Sequence, residues 1–149
     1  MLLEPTGEMY PMCKRILYVE DNPRNMLLVR RILEAEGHEL IEAVNGESGW
    51  ETAVSCKPDF ILMDLRLPGE MSGFELTRRI KAHPDLTHIP IVALTAYGND
   101  IAEDKALAAG CADFLTKPAD IREIRATLRK FFEPEPVVEV ETAVQYAYI

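Results

Sequence analysis

No stretch of this chain approaches the roughly 18 consecutive apolar residues that a membrane-crossing helix needs. Its start, Met1-Leu2-Leu3-Glu4-Pro5, lacks the basic segment and apolar run of a secretory signal. Cysteine is scarce: Cys13, Cys56 and Cys111 are odd in number, widely spaced and part of no CxxC or Cys/His pattern. That excludes a zinc-ligand arrangement and a disulfide framework, and points to reduced thiols. Positive charge is in deficit as well. Sixteen Lys and Arg against 25 Asp and Glu give a formal net charge of -9, the wrong sign for gripping a phosphate backbone. No GxGxxG or Walker glycine-lysine loop follows the first apolar run, so the usual nucleotide cradles are missing. Internal repeats and low-complexity tracts are absent too. A cytoplasmic protein that uses neither nucleic acid nor membrane as a partner is expected.

What is present is an ordinary globular composition, 48% hydrophobic and 28% charged, in 149 residues, which fits one domain with a sizeable core. The acid excess is uneven. Residues 1–12 and 133–149 hold six acids and no base, so the middle is close to balanced. Pro134 and Pro136 end the last helical pattern. We therefore expect an N-terminal extension over 1–13, a folded domain over 14–132, and an acidic, partly apolar tail over 133–149.

Within the middle, a short apolar run is followed five times by a helix-like stretch. Residues 15–19, 39–43, 60–63, 91–94 and 112–115 read as strands. Residues 23–36, 46–56, 72–83, 99–109 and 119–132 read as helices, with Gly37, His83-Pro84 and Gly110 as stops. In the first helix Leu28, Val29, Ile32 and Leu33 are expected to face the core. Such alternation predicts an α/β fold with a parallel sheet, right-handed crossovers and helices on both faces. Strands one, three and four are almost wholly apolar, as central strands are, whereas strand two alternates like an edge. A five-stranded flavodoxin-like order, 2-1-3-4-5, follows.

Ligands of open parallel sheets bind beyond the carboxyl ends of the strands. Strand one delivers Glu20 and Asp21 there, strand three Asp64, strand four Thr95 and strand five Lys117. Three carboxylates at close quarters need a cation. Hard oxygen ligands suit Mg²⁺, for which Mn²⁺ could substitute. A cation and Lys117 would neutralise an incoming phosphoryl group, Thr95 would donate to it, and a carboxylate can act as the nucleophile. Each residue alone is commonly a cap or a loop charge. The set, each at its own strand end, is not.

The segments Ile16-Leu17-Tyr18-Val19-Glu20-Asp21-Asn22, Ile61-Leu62-Met63-Asp64-Leu65-Arg66-Leu67-Pro68, Ala93-Leu94-Thr95-Ala96 and Asp113-Phe114-Leu115-Thr116-Lys117-Pro118 resemble the receiver domain of two-component response regulators. The likeness is nearest to stand-alone receivers of the cell-division-control and sporulation-relay kind. It implies Asp64 as the phospho-acceptor, with Lys117 and Thr95 as its catalytic partners. It implies Asp21 as a direct Mg²⁺ ligand, Glu20 as an acid acting through water, and the Arg66 carbonyl as a further ligand. Thr95 and Phe114 would be the switch residues, and the Lys117-Pro118 bond would be cis. Arg66 and Tyr97 would flank the path of hydrolytic water. One feature departs from the family pattern: Gly69, Glu70, Met71 and Ser72 precede Gly73, one residue more than usual. A reshaped loop beside the acceptor is expected.

By this resemblance the protein is a signalling switch rather than an enzyme, assisting its own Mg-dependent phosphorylation and dephosphorylation. Its partners would be a histidine kinase or histidine-phosphotransfer protein and a downstream protein. A homodimer is also open. Leu27, beside Arg24, Arg30 and Arg31, would form a docking spot on the outer face of the first helix. The alternation of Val138, Val140, Val144, Tyr146 and Tyr148 suggests an extended tail segment. Competing classes are a haloacid-dehalogenase phosphatase, a nucleotide-binding module and an unphosphorylated receiver-like scaffold. The first requires a second Asp where Arg66 stands, and the second requires the missing glycine loop.

Overall fold

The computed structural model describes residues 2–3, 9–10, 13–96 and 99–132. Tyr97 and the tail over 133–149 lie outside the described residues, as does most of the expected N-terminal extension. Leu2–Leu3 and Met9–Tyr10 form a small antiparallel ladder. The remaining strands are β1 (Arg15–Val19), β2 (Glu39–Ala43), β3 (Phe60–Met63), β4 (Ile91–Thr95) and β5 (Asp113–Thr116). They pair in parallel in the order β2-β1-β3-β4-β5. Five helices alternate with them: α1 (Pro23–Ala35), α2 (Gly46–Cys56), α3 (Gly73–Ala82), α4 (Asp100–Ala109) and α5 (Ile121–Phe132). The expected order and the polar edge strand are both observed.

Period-two alternation divides the core cleanly. Leu17, Val19, Ile61, Met63, Ile91 and Ala93 pack on one face with Leu76 and Ile80 of α3. Ile16, Tyr18, Phe60, Leu62, Val92 and Leu94 pack on the other, against α1 and α5. The helix ends follow local chemistry. Asn22, Asn45, Ser72 and Asn99 cap α1 to α4 by accepting from first-turn N–H groups. Gly37 and Gly110 take the positive φ that closes α1 and α4.

One core expectation fails. Leu28 is 45% exposed, and Met26 takes its place among the buried residues of α1, with Val29, Ile32 and Leu33. Four apolar residues in succession, Met26 to Val29, span too much of the helix circumference for one buried stripe. The stripe that closes on the sheet is 26, 29, 32 and 33.

The turn after β3 is held by Gly73, the first residue of α3, whose N–H donates to the Leu65 carbonyl at 3.1 Å. A methyl group there would meet the Asp64 carbonyl oxygen head-on and lie 2.6 Å from the Leu65 Cα. Both obstacles are backbone, so neither can swing away. Gly73→Ala is expected to cost about 2–3 kcal/mol of folding free energy by overpacking, read as a lowered urea midpoint.

Candidate phosphoryl-transfer site

Burial makes the site possible and also constrains it. The central strands β1, β3 and β4 run largely apolar and, at or just beyond their ends, present Glu20 with Asp21, Asp64, and Thr95 to a shallow cleft. The cleft gathers Glu20, Asp21, Asp64, Arg66, Thr95 and Lys117. Ligand atoms of Glu20, Asp21 and Asp64 lie within 4.8 Å of one another. Asp64 is 6% exposed and Glu20 is 1% exposed, whereas Asp21 is open to solvent. Oxygen donors at this spacing, two buried and one open, fit a hard divalent cation that keeps some of its water.

Lys117 supplies the positive charge. Its backbone N–H donates to the Thr95 carbonyl at 2.8 Å, which anchors the root of the side chain beside the end of β4. The ammonium then reaches Asp64 Oδ2 at 3.2 Å and also pairs with Glu20 Oε1. Asp64 Oδ1 accepts the Arg66 backbone N–H at 3.1 Å. Burial pushes the Asp64 carboxyl above its ordinary value, against the pull of Lys117 and the Arg66 N–H. For Glu20 burial also pushes upward, but the hydrogen bond and charge of Lys117, with the Asn22 N–H, hold it below the usual range.

Thr95 is wholly buried at the end of β4 and lines the cleft. Phe114 does not line it. Its residue pairs with Ala93 on β4, and its ring rests half-buried against the α3-side core. The Lys117-Pro118 bond is cis, as expected. The longer loop runs from Gly69 to Ser72 ahead of α3. Gly69 adopts a φ of 89°, and Met71 is buried where a methyl on Gly46 would stand 2.7 Å from its Cβ. The acids keep their cluster regardless.

Two participants escaped the sequence patterns. Tyr18 donates its hydroxyl to Glu20 Oε1 at 2.9 Å, and Asn25 Nδ2 donates to the same oxygen at 3.0 Å. Burial and the neighbouring Glu20 charge push the Tyr18 phenol far above its ordinary value, so the proton stays on its oxygen. A signal was available in the sequence: a Tyr within an otherwise aliphatic buried strand requires a partner for its hydroxyl.

The comparisons with known proteins agree with this geometry. The family model described as response regulator receiver domain matches residues 16–129. A polar-differentiation response regulator DivK from Brucella anthropi is 38% identical over 120 residues, covering 80% of this chain and 97% of the relative. Among solved structures, the receiver domain of a sensor histidine kinase from Pseudomonas aeruginosa PAO1, with magnesium coordinated in its active-site cleft, is 33% identical. Its TM-score is 0.74, over 80% of this chain and 98% of that one. The Mn²⁺-bound response regulator Rcp1 is 28% identical with a TM-score of 0.73, over 83% of this chain and 97% of that one.

Because Lys117 and a cation would neutralise the same carboxylates, they compete. Lys117→Met is expected to lower stability at neutral pH without divalent cations by about 3 kcal/mol, the scale for breaking a buried pair. The same variant should bind Mg²⁺ several-fold more tightly than wild type. Thermal unfolding along a Mg²⁺ titration checks both directions at once.

Proposed function

The chain belongs to the response regulator receiver domain family, and from that membership we propose that it is a phosphorelay switch whose acceptor is Asp64. The observation that carries this is the convergence on one buried aspartate, at a strand end, of two further acids and an ammonium 3.2 Å away. In the transfer, an Asp64 carboxylate oxygen forms the bond to phosphorus while the phosphorus–nitrogen bond to a donor imidazole breaks. The electron pair stays on that nitrogen. Lys117 follows the growing negative charge, and the Thr95 hydroxyl supports a phosphoryl oxygen. Glu20, Asp21 and Asp64, with the Arg66 carbonyl, would hold Mg²⁺ or Mn²⁺, which supplies charge neutralisation when bound. The remaining steps are electrostatic positioning by the chain's own residues.

The donor is a histidine kinase or a phosphotransfer protein, and the output is a changed surface for a downstream protein, all within the cytoplasm. The DivK relatives are matched over nearly their whole length, which supports signalling by a receiver unit, residues 14–132, through protein contacts. Residues 1–13 and 133–149 would be appendages to that unit. Thr95 and Phe114, on adjacent strands, form the route by which a phosphoryl group would alter the surface. For docking, Leu27 is 46% exposed, as expected, and the exposed Leu28 beside it lines a groove with Pro118 and Ala119 next to the cleft. Arg30 is engaged with Glu34 and Glu42, which leaves Arg24 and Arg31 as the exposed bases that would ring the spot.

Incubation with acetyl phosphate and Mg²⁺ should add one phosphoryl group by intact mass, and EDTA should stop the reaction. Asp64→Asn should abolish labelling; undiminished labelling in that variant would overturn the assignment. Leu27→Asp should slow transfer from a histidine donor at least tenfold, on the scale of about 1–3 kcal/mol for an interface anchor, and spare acetyl phosphate labelling. Equal loss in both assays would remove the docking role.

A further inference from the structure

Glu20 is the most buried carboxylate among the described residues, and its two oxygens are served unequally. Oε2 accepts the Asn22 backbone N–H at 3.2 Å. Oε1 accepts from the Tyr18 hydroxyl at 2.9 Å, from Asn25 Nδ2 at 3.0 Å and from the Lys117 ammonium. A carboxylate oxygen offers about two lone-pair sites, so Oε1 carries one donor more than it needs. The surplus has a consequence for Lys117, which also reaches Asp64. A lysine that serves a phosphoryl group on Asp64 must release Glu20. If the lysine were its only partner, release would strand a carboxylate in a dry site, which is costly.

Tyr18 removes that cost. It has no solvent exposure, and its ring is fixed in the core between the sheet and the α1 and α5 layer. Its hydroxyl cannot turn to water, and Glu20 lies two residues further along the same side of the chain. Asn25 approaches from the first turn of α1. Together they satisfy Oε1 without help.

We propose that Tyr18, assisted by Asn25, is a positioning residue of the phosphoryl-transfer site, holding Glu20 in place so that Lys117 can leave it for the phosphoryl group on Asp64. This rests on Asp64 being the acceptor and the acids being a cation site. Tyr18 itself touches neither the cation nor the phosphoryl group.

Tyr18→Phe keeps the ring and removes only the hydroxyl. Two readouts apply to the full chain: the Mg²⁺ dissociation constant by calorimetry without phosphoryl donor, and the acetyl phosphate labelling rate at saturating Mg²⁺. Loss of a hydrogen bond to a buried charge should weaken Mg²⁺ binding several-fold and slow labelling about tenfold, with an unchanged circular dichroism spectrum at the assay temperature. Asn25→Ala should show the same pattern more weakly, and the double variant should exceed either single one. A purely structural hydroxyl would lower the melting temperature and leave both constants alone, which overturns the proposal. If wild type neither binds Mg²⁺ nor accepts a phosphoryl group, the acceptor assignment falls and takes this inference with it. If wild type does both and Tyr18→Phe matches it, only the role of Tyr18 falls. Should Tyr18→Phe fail to fold, a chain carrying 3-fluorotyrosine at position 18, with Phe at the other four tyrosines, replaces it. Its fluorine resonance should shift on phosphorylation as Lys117 departs; an unmoved resonance overturns the proposal.

Discussion

Glu20 and Asp64 stand at the ends of neighbouring strands with almost no access to water, and in such a place like charges repel strongly and single charges are poorly solvated. Their charges are relieved by hydrogen bonds and by a cation, delivered by the protein or from solution. Lys117 is that cation in the folded chain, and much of the architecture exists to bring it there. Its strand, β5, is separated from β3 by β4 and from β1 by two strands. A side chain starting from β5 must therefore cross the end of β4. The backbone bond from Lys117 to Thr95 fixes the starting point. A long, flexible ammonium suits this task, because it can exchange partners without a fixed fork geometry.

The same shortage of charge explains why the site is poised rather than inert. An ammonium shared between two carboxylates is held in place but is not saturated by either. An arriving divalent cation or phosphoryl group changes which partner it prefers. Gly73 contributes by letting α3 begin directly against the Asp64 carbonyl, which fixes the acceptor from behind.

Much of this was legible in the sequence, because a buried parallel sheet writes itself as apolar runs and the functional residue is whatever first interrupts each run. The strand order was legible from the polarity of residues 39–43, and the helix limits from Asn, Ser and Gly at their ends. What escaped depended on partners in three dimensions. Leu28 belongs to a run of four apolar residues, Met26 to Val29, whose orientation is decided by the sheet below it, not by spacing alone. The role of Asn25 cannot be inferred until Glu20 is known to turn back toward the first turn of α1. Tyr18 was counted as one more core residue because its hydroxyl is invisible to a hydrophobic pattern. The extra length of the loop after Pro68 can be read from the sequence, but only packing shows that Met71 is buried beside Gly46.

The five helices are not held equally, and this gives the sheet a direction in which to transmit a local change. α1 buries Met26, Val29, Ile32 and Leu33, and α3 buries Leu76 and Ile80. α4 buries only Ala102, Ala106 and Ala109, and α2 only Gly46, Gly49 and Ala53. At about 0.8 kcal/mol per buried methylene, three alanines anchor a helix far less firmly than four large side chains. α4 is also the helix that follows β4 and Thr95 in the chain. Phe114 sits one strand over and is only half-buried. A small displacement of the Thr95 hydroxyl toward Asp64 would therefore meet little resistance on this side of the molecule, whereas α1 and α3 would stay fixed. One of the two lightly packed helices therefore follows in the chain from the strand that ends at the charged cleft, where a change in charge would most cheaply become a change in shape.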